Sequence, residues 1–265
     1  MAKNPNKKIT ITDLKEKKYS DNKIACLTCY DYYSAKILDS CDIDLVLVGD
    51  SLGMVFKGEE NTLSVTVDEI IYHTKAVKRG LKRAFLTADM PFGSYQKSRE
   101  YALENAIRII KEGGAEAVKL EGGVEVANIV RDLSNFGINV IAHIGLMPQY
   151  VHKLGGYKKQ GKEDRVKNKL LEDALALEEA GASLIVLEGI YHDIASIITE
   201  KTKIPTIGIG AGSGCDGQIL VFQDYLGINI DFIPPFVKKY ANLAEDIKKA
   251  TNKYIEEVKK GVFPQ

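Results

Sequence analysis

Several polar side chains in this sequence stand where an apolar run ends. Asp50 and Ser51 follow LVLVG, Asp89 follows AFLTA, Lys119 and Glu121 lie in AVKLEGG, and Glu188 closes LIVLE. Asp31 and His143 hold similar places in CYD and NVIAHIG. Carboxylates gathered against apolar sequence are costly, and they repel one another unless a cation neutralises them. The donors are oxygens, and the four histidines (73, 143, 152 and 192) show no HExxH-like pairing. A hard ion such as Mg²⁺ suits that set, because it keeps waters that a substrate can replace. Helix N-capping is the competing reading for Asp50 and Asp89.

Lys119 and Glu121 are two apart, so on a strand they share a face. A buried lysine there needs an anion, either Glu121 or a substrate carboxylate, and a structural ion pair or a Schiff-base nucleophile are the other readings. Glu188 ends an apolar run, where a carboxyl pKa is expected to rise and suit a general base. His143 reads as a hydrogen-bonded core histidine behind these groups. GIGAGSG from Gly208 is not a dinucleotide fingerprint, since Ser213 stands where the last glycine of GxGxxG falls.

Positioning such groups requires strands that end together. IACLTCY, LVLVGD, AFLTADM, AVKLEGG, NVIAHIG, LIVLEGI, IPTIGIGAG and QILVFQD read as strands, apolar nearly throughout as in a parallel sheet covered on both faces. Helical stretches alternate with them. Thr66 and Glu69 form a capping box for a helix ending at Gly80, and Ser98 caps one leading to Gly113-Gly114. Others run from about Val124 to Gly137, Arg165 to Gly181 and Asn242 to Gly261. Segments 112–121 and 179–188 repeat one plan, a helix end, a Gly-Ala turn and a strand closing on glutamate. Strict alternation predicts a closed (β/α)₈ TIM barrel, one α/β domain over 1–265, with an open doubly wound sheet as the alternative. In such a barrel the chemistry sits at the carboxyl ends of the strands. The irregular stretch 147–163 exceeds an ordinary barrel loop and is a lid candidate.

Length and composition agree. A barrel takes ~250 residues, and the chain has 265, of which 45% are hydrophobic and 27% charged. Acids and bases balance at 36 each, so no overall charge draws it to nucleic acid or anionic lipid. No stretch approaches the ~20 apolar residues of a membrane span, and the first residues lack a signal-peptide core, which implies cytoplasm. Cys26 and Cys29 spell CxxC, but three apart on a strand they face opposite ways and cannot easily share a metal or disulfide.

LVLVGDSLGMVFKGEENTLSVTVDEIIYHTKAV, LTADMPFGSY, AVKLEGG, AHIGLMPQ, GGYKKQGK, LIVLEG and IGIGAGSGCDGQILVFQDYLG together resemble the ketopantoate (3-methyl-2-oxobutanoate) hydroxymethyltransferase family over nearly the whole chain. The resemblance implies a cytoplasmic (β/α)₈ barrel that uses Mg²⁺ and 5,10-methylenetetrahydrofolate to hydroxymethylate 3-methyl-2-oxobutanoate on the route to pantothenate. It assigns metal and substrate contacts to Asp50, Ser51 and Asp89, the substrate acid to Lys119, the metal shell to Glu121 and the proton acceptor to Glu188. It also implies a homo-oligomer, usually a decamer, of which the residues themselves say nothing. Proline is common in the family at Ser64 and Tyr191, and threonine at Met147, so the loop beside Glu188 is where this chain departs. Two other activities fit the acids and lysine: a Mg²⁺-dependent lyase or mutase of another small 2-keto acid, and a Schiff-base aldolase through Lys119. A barrel that only binds ligands or partners is the non-catalytic alternative.

Overall fold

The computed structural model describes residues 7–264. Eight parallel strands close into a barrel in sequence order: β1 Ile24–Thr28, β2 Leu45–Val48, β3 Phe85–Asp89, β4 Ala117–Glu121, β5 Val140–Gly145, β6 Leu184–Glu188, β7 Thr206–Ile209 and β8 Gly217–Leu220. The closed ladder rules out the open sheet. The chain divides into two compact units, Met1–Ile219 and Leu220–Gln265. The first carries the barrel strands up to Ile219, and the second carries helices Phe222–Tyr225 and Leu243–Lys259. The last strand is shorter than QILVFQD suggested. Beyond Leu220 the Val221 carbonyl accepts from the N–H groups of Asp224 and Tyr225, turning FQDY into a helix.

The punctuation acts as the sequence predicts. Thr66 and Glu69 close a reciprocal capping box on Val67–Gly80. Ser98 caps Arg99–Arg108, whose continuation through Ile109–Gly113 stops at Gly114 with φ 84°. Asp31 is also a cap, accepting from the Ser34 N–H at the start of Tyr32–Ser40. No described helix is long and apolar enough to cross a membrane.

Side-chain alternation sorts the barrel interior into layers. Ile24, Cys26, Leu45, Leu47, Phe85, Ala117, Ile141, Leu184, Val186, Ile207 and Ile219 form one buried cluster. Continuing those strands in steps of two reaches Asp89, Lys119, Glu121, His143 and Glu188. The ladder sets their heights: Asp89 pairs with Lys119, and Glu121 with His143. One inward face therefore runs from apolar below to charged at the strand ends. Cys26 belongs to the apolar layer, Cys29 lies buried beyond the strand end, and all four cysteines are free. Burial also pushes the Cys29 thiol up to about 12, which excludes a ready thiolate.

The amino-terminal end of the barrel is closed by helix Ile11–Glu16, which the strand–helix alternation did not announce. Its Leu14 is fully buried in the apolar layer, with Ile9 and Ile11 packed beside it. Lysines flank the plug: Lys8 pairs with Glu116 at 2.6 Å, Lys17 with Asp44 at 2.6 Å and Lys18 with Asp216 at 2.9 Å. Leu14→Ala should cost about 2–5 kcal/mol by leaving a cavity under the barrel floor. Urea denaturation checks this, and a loss below ~1 kcal/mol would mean that the plug does not carry the floor.

Candidate active site

At the carboxyl ends of the strands three carboxylates converge on one lysine and one histidine. Asp50, Asp89, Lys119, Glu121 and His143 are all buried. The Asp50 backbone N–H donates to Asp89 Oδ2 at 2.9 Å, so the turn after β2 is tied to the end of β3. Gly49 permits that turn, because a Cβ there would meet Ser51 Oγ at 2.8 Å. Neither Asp50 nor Asp89 caps a helix with its side chain. Ser51 precedes the short helix Leu52–Val55, but its side chain makes no capping bond; its hydroxyl meets Tyr30 Oη at 2.8 Å.

Within the chain the carboxylate that Lys119 meets is Asp89 rather than Glu121. Its Nζ lies 3.1 Å from Asp89 Oδ1 and 3.2 Å from His143 Nδ1. Burial disfavours the ammonium, and the charges of Asp89, Glu121 and Asp50 overcome that and raise its pKa. His143 is not a bystander. Nδ1 lies 3.4 Å from Glu121 Oε1, and Nε2 lies 3.2 Å from Glu188 Oε2, so the ring spans the cluster. Burial and the Lys119 cation lower its pKa, but Glu121 and Glu188 raise it further, to about 9. Asp50 moves up strongly through burial and the neighbouring Asp89 and Glu121 charges. Asp89 also moves up, through burial, against the pull of Lys119.

Glu188 differs from its apolar expectation. Its side chain keeps 17% of its surface exposed and faces His143 rather than hydrocarbon. The backbone beneath it is fixed, since Leu146 N–H donates to its carbonyl at 2.8 Å. Gly145 (φ 101°) makes that approach possible, as a Cβ there would lie 2.3 Å from the same oxygen. Tyr191 accepts Lys159 over its ring and donates its N–H to the Gln160 carbonyl.

Gln149, Tyr95 and Tyr30 were not singled out in the sequence, although all three border the cluster. Gln149 belongs to stretch 147–163, whose ends are held down. Gln149 is buried among the acids, and Gln160 forms a bridge with Ile190. The Tyr157 hydroxyl between them is pushed up by its own burial and, to a lesser extent, by the Glu188, Asp50 and Glu121 charges.

Among the described residues no group of three or more His, Cys, Asp or Glu side chains is gathered closely enough to hold an ion as it stands. The donor chemistry nevertheless fits a hard cation. Asp89 Oδ1 and Glu121 Oε1 are buried oxygens without a hydrogen-bond donor, facing only the Lys119 and His143 charges. Three acids against one lysine leave an anionic excess that the raised carboxyls and imidazolium report.

The family model described as ketopantoate hydroxymethyltransferase matches residues 8–265. The chain belongs to that family. It is 56% identical over 258 residues to a 3-methyl-2-oxobutanoate hydroxymethyltransferase of Clostridioides difficile, covering 97% of this chain and 94% of that one. A protein of the same name from Enterococcus faecalis is 54% identical, with 97% and 94% covered. Solved structures extend only the fold. A phosphonopyruvate hydrolase complex with oxalate and Mg²⁺ has TM-score 0.62 at 12% identity, covering 96% of this chain and 88% of that one. A 2,3-dimethylmalate lyase of the PEP mutase/isocitrate lyase superfamily has TM-score 0.61 at 15% identity, covering 97% and 86%.

The raised imidazolium carries a sign. A histidine titrates near ~6.5 when unfolded and near 9 here. Its charged form contributes stability that is complete below the unfolded value and is lost as pH rises through about 9. Chelator-treated protein should therefore lose ~3 kcal/mol between those limits, and His143→Gln should lose that slope. Thermal melts across pH read it out; a wild-type slope retained in the variant would assign the proton elsewhere.

Proposed function

We propose that this chain transfers a hydroxymethyl group from 5,10-methylenetetrahydrofolate to 3-methyl-2-oxobutanoate, giving 2-dehydropantoate on the route to pantothenate. Three buried carboxylates beside a lysine, with a partly exposed glutamate, at the mouth of a barrel of this family carry the reading. The names of the full-length relatives supply the keto acid and the transferred group.

Asp50, Asp89 and Glu121 would hold a divalent cation, Mg²⁺ by its hardness, using oxygens such as Asp89 Oδ1 and Glu121 Oε1 that lack hydrogen-bond donors. When bound, that ion would supply Lewis-acid polarisation of the ketone next to the carboxylate. Lys119 and Ser51 fix the acid end of the substrate, the lysine as a point charge and the serine through a hydroxyl that Tyr30 orients. Glu188 takes the proton from the carbon beside the ketone. Its exposed edge is accessible from the mouth, and His143 at 3.2 Å keeps its carboxylate directed. The carbon that loses its proton bonds to the one-carbon unit of the folate, and water supplies the hydroxyl oxygen. The two carbon–nitrogen bonds break to release tetrahydrofolate, whose nitrogens take up the proton held by Glu188 and one from water. The family resemblance further supports a cytoplasmic homo-oligomer built of single-domain chains, and a decamer in particular.

A Schiff-base role for Lys119 is disfavoured by its surroundings. A nucleophilic lysine needs a free amine at neutral pH, whereas the acids around this one keep it an ammonium. A lyase or mutase of another keto acid shares the fold but not the need for a folate.

Glu188→Gln should retain keto-acid binding and lose about 10²–10⁴-fold in turnover, the usual contribution of a positioned base. Unchanged turnover would remove Glu188 from the role. Asp89→Ala should weaken Mg²⁺ binding in calorimetry, and equal affinity would count against the proposed shell. Product that forms without methylenetetrahydrofolate would overturn the donor.

A further inference from the structure

Gln149, 4% exposed, is a neutral side chain set among the acids of the cluster. It is held by a 3₁₀ turn, Pro148–Tyr150, that begins on proline. The first N–H groups of such a turn have no partner within it. The Gln149 N–H is spent on Glu121 Oε2 at 3.0 Å. Its side-chain Nε2 donates to Asp50 Oδ2 at 2.8 Å and to the Met90 carbonyl at 3.0 Å. Both neighbours only accept, so the amide cannot be turned over. The other end agrees, because Gln149 Oε1 accepts from the Tyr95 hydroxyl at 2.7 Å.

One residue thus grips one oxygen of Asp50 and one of Glu121. Asp89 is gripped in the same manner by the Asp50 N–H on Oδ2. Each carboxylate has one oxygen taken by an amide, while Asp89 Oδ1 and Glu121 Oε1 face only the Lys119 and His143 charges, at 3.1 and 3.4 Å. A lysine or arginine in place of the glutamine would neutralise the acids and remove the reason for a cation. A carboxylate would add a fourth negative group. The side-chain amide orients Asp50 and the backbone N–H orients Glu121, and neither cancels a charge.

We propose that Gln149 is a positioning residue for a divalent cation, clamping Asp50 and Glu121 so that their remaining oxygens converge, with Tyr95 holding the clamp. This rests on the metal reading above and adds to it a residue that touches no metal. Hydrogen-bond partners that orient ligands typically carry 10–100-fold in metal affinity.

The test is Mn²⁺ titration of the substrate-free protein, followed by electron paramagnetic resonance, for wild type, Gln149→Met and Tyr95→Phe. Gln149→Met keeps the length and the backbone N–H but loses the amide. Its Mn²⁺ dissociation constant should rise about 10–100-fold, while circular dichroism and the melting transition show a folded chain. Tyr95→Phe keeps the amide but frees it, and should weaken binding by a smaller factor. It also serves should Gln149→Met not fold. Excess Mn²⁺ should recover much of the keto-acid proton exchange lost in Gln149→Met, which damage to the fold would not allow. Wild-type affinity in both variants, or in a folded Tyr95→Phe alone where Gln149→Met does not fold, overturns the clamp and leaves the metal reading intact. No Mn²⁺ binding by wild type itself overturns both.

Discussion

Burying like charges is the constraint around which this barrel is arranged. Asp50, Asp89 and Glu121 sit at the top of an apolar interior, where their repulsion is not screened by water. The cluster answers with Lys119 against Asp89, His143 between Glu121 and Glu188, and amide donors on one oxygen of each acid. These answers are incomplete, since carboxyl and imidazole protons are held more tightly than usual. The remaining negative charge is what a hard cation and a keto acid can meet, and the same charge keeps Lys119 an ammonium.

The rest of the molecule serves this arrangement from below. Alternation along β3, β4, β5 and β6 carries apolar side chains into the floor and charged ones to the mouth on a single face. The Leu14 plug seals the opposite end, so the interior is packed rather than a pore. The parallel ladder fixes the acids in height, because Asp89 and Lys119 are register partners, as are Glu121 and His143. Loops supply what strands cannot: Asp50 from the turn after β2 and Gln149 from the turn beginning at Pro148.

The barrel was legible in the sequence because its signals are local. Apolar runs, the Thr66–Glu69 capping box, the Ser98 cap and the repeated Gly-Ala turns each act within a few residues. The positions of Asp89, Lys119, Glu121 and Glu188 followed from where the apolar runs end, and the shared face of Lys119 and Glu121 from their spacing of two. Partnership was not legible, because it depends on register between strands distant in sequence. Lys119 pairs with Asp89, thirty residues earlier, and not with Glu121 on its own strand. His143 looked like a core residue because its neighbours in sequence are apolar, while its neighbours across the ladder are acids. Gln149 lay in a stretch noted only for its length, and the plug helix had no partner strand to announce it. The folate and the keto acid came from family resemblance, since no pattern of spacing encodes them.

The central claim is that this cluster removes a proton beside a ketone with the help of a divalent ion, before a folate arrives. The most direct test follows the C–H of 3-methyl-2-oxobutanoate by NMR in D₂O, with Mg²⁺ or with chelator, and then adds methylenetetrahydrofolate. The account predicts exchange that requires the ion, followed by a hydroxymethyl signal once the folate is present. Exchange that persists under chelation, or neither exchange nor product with every component present, would contradict it.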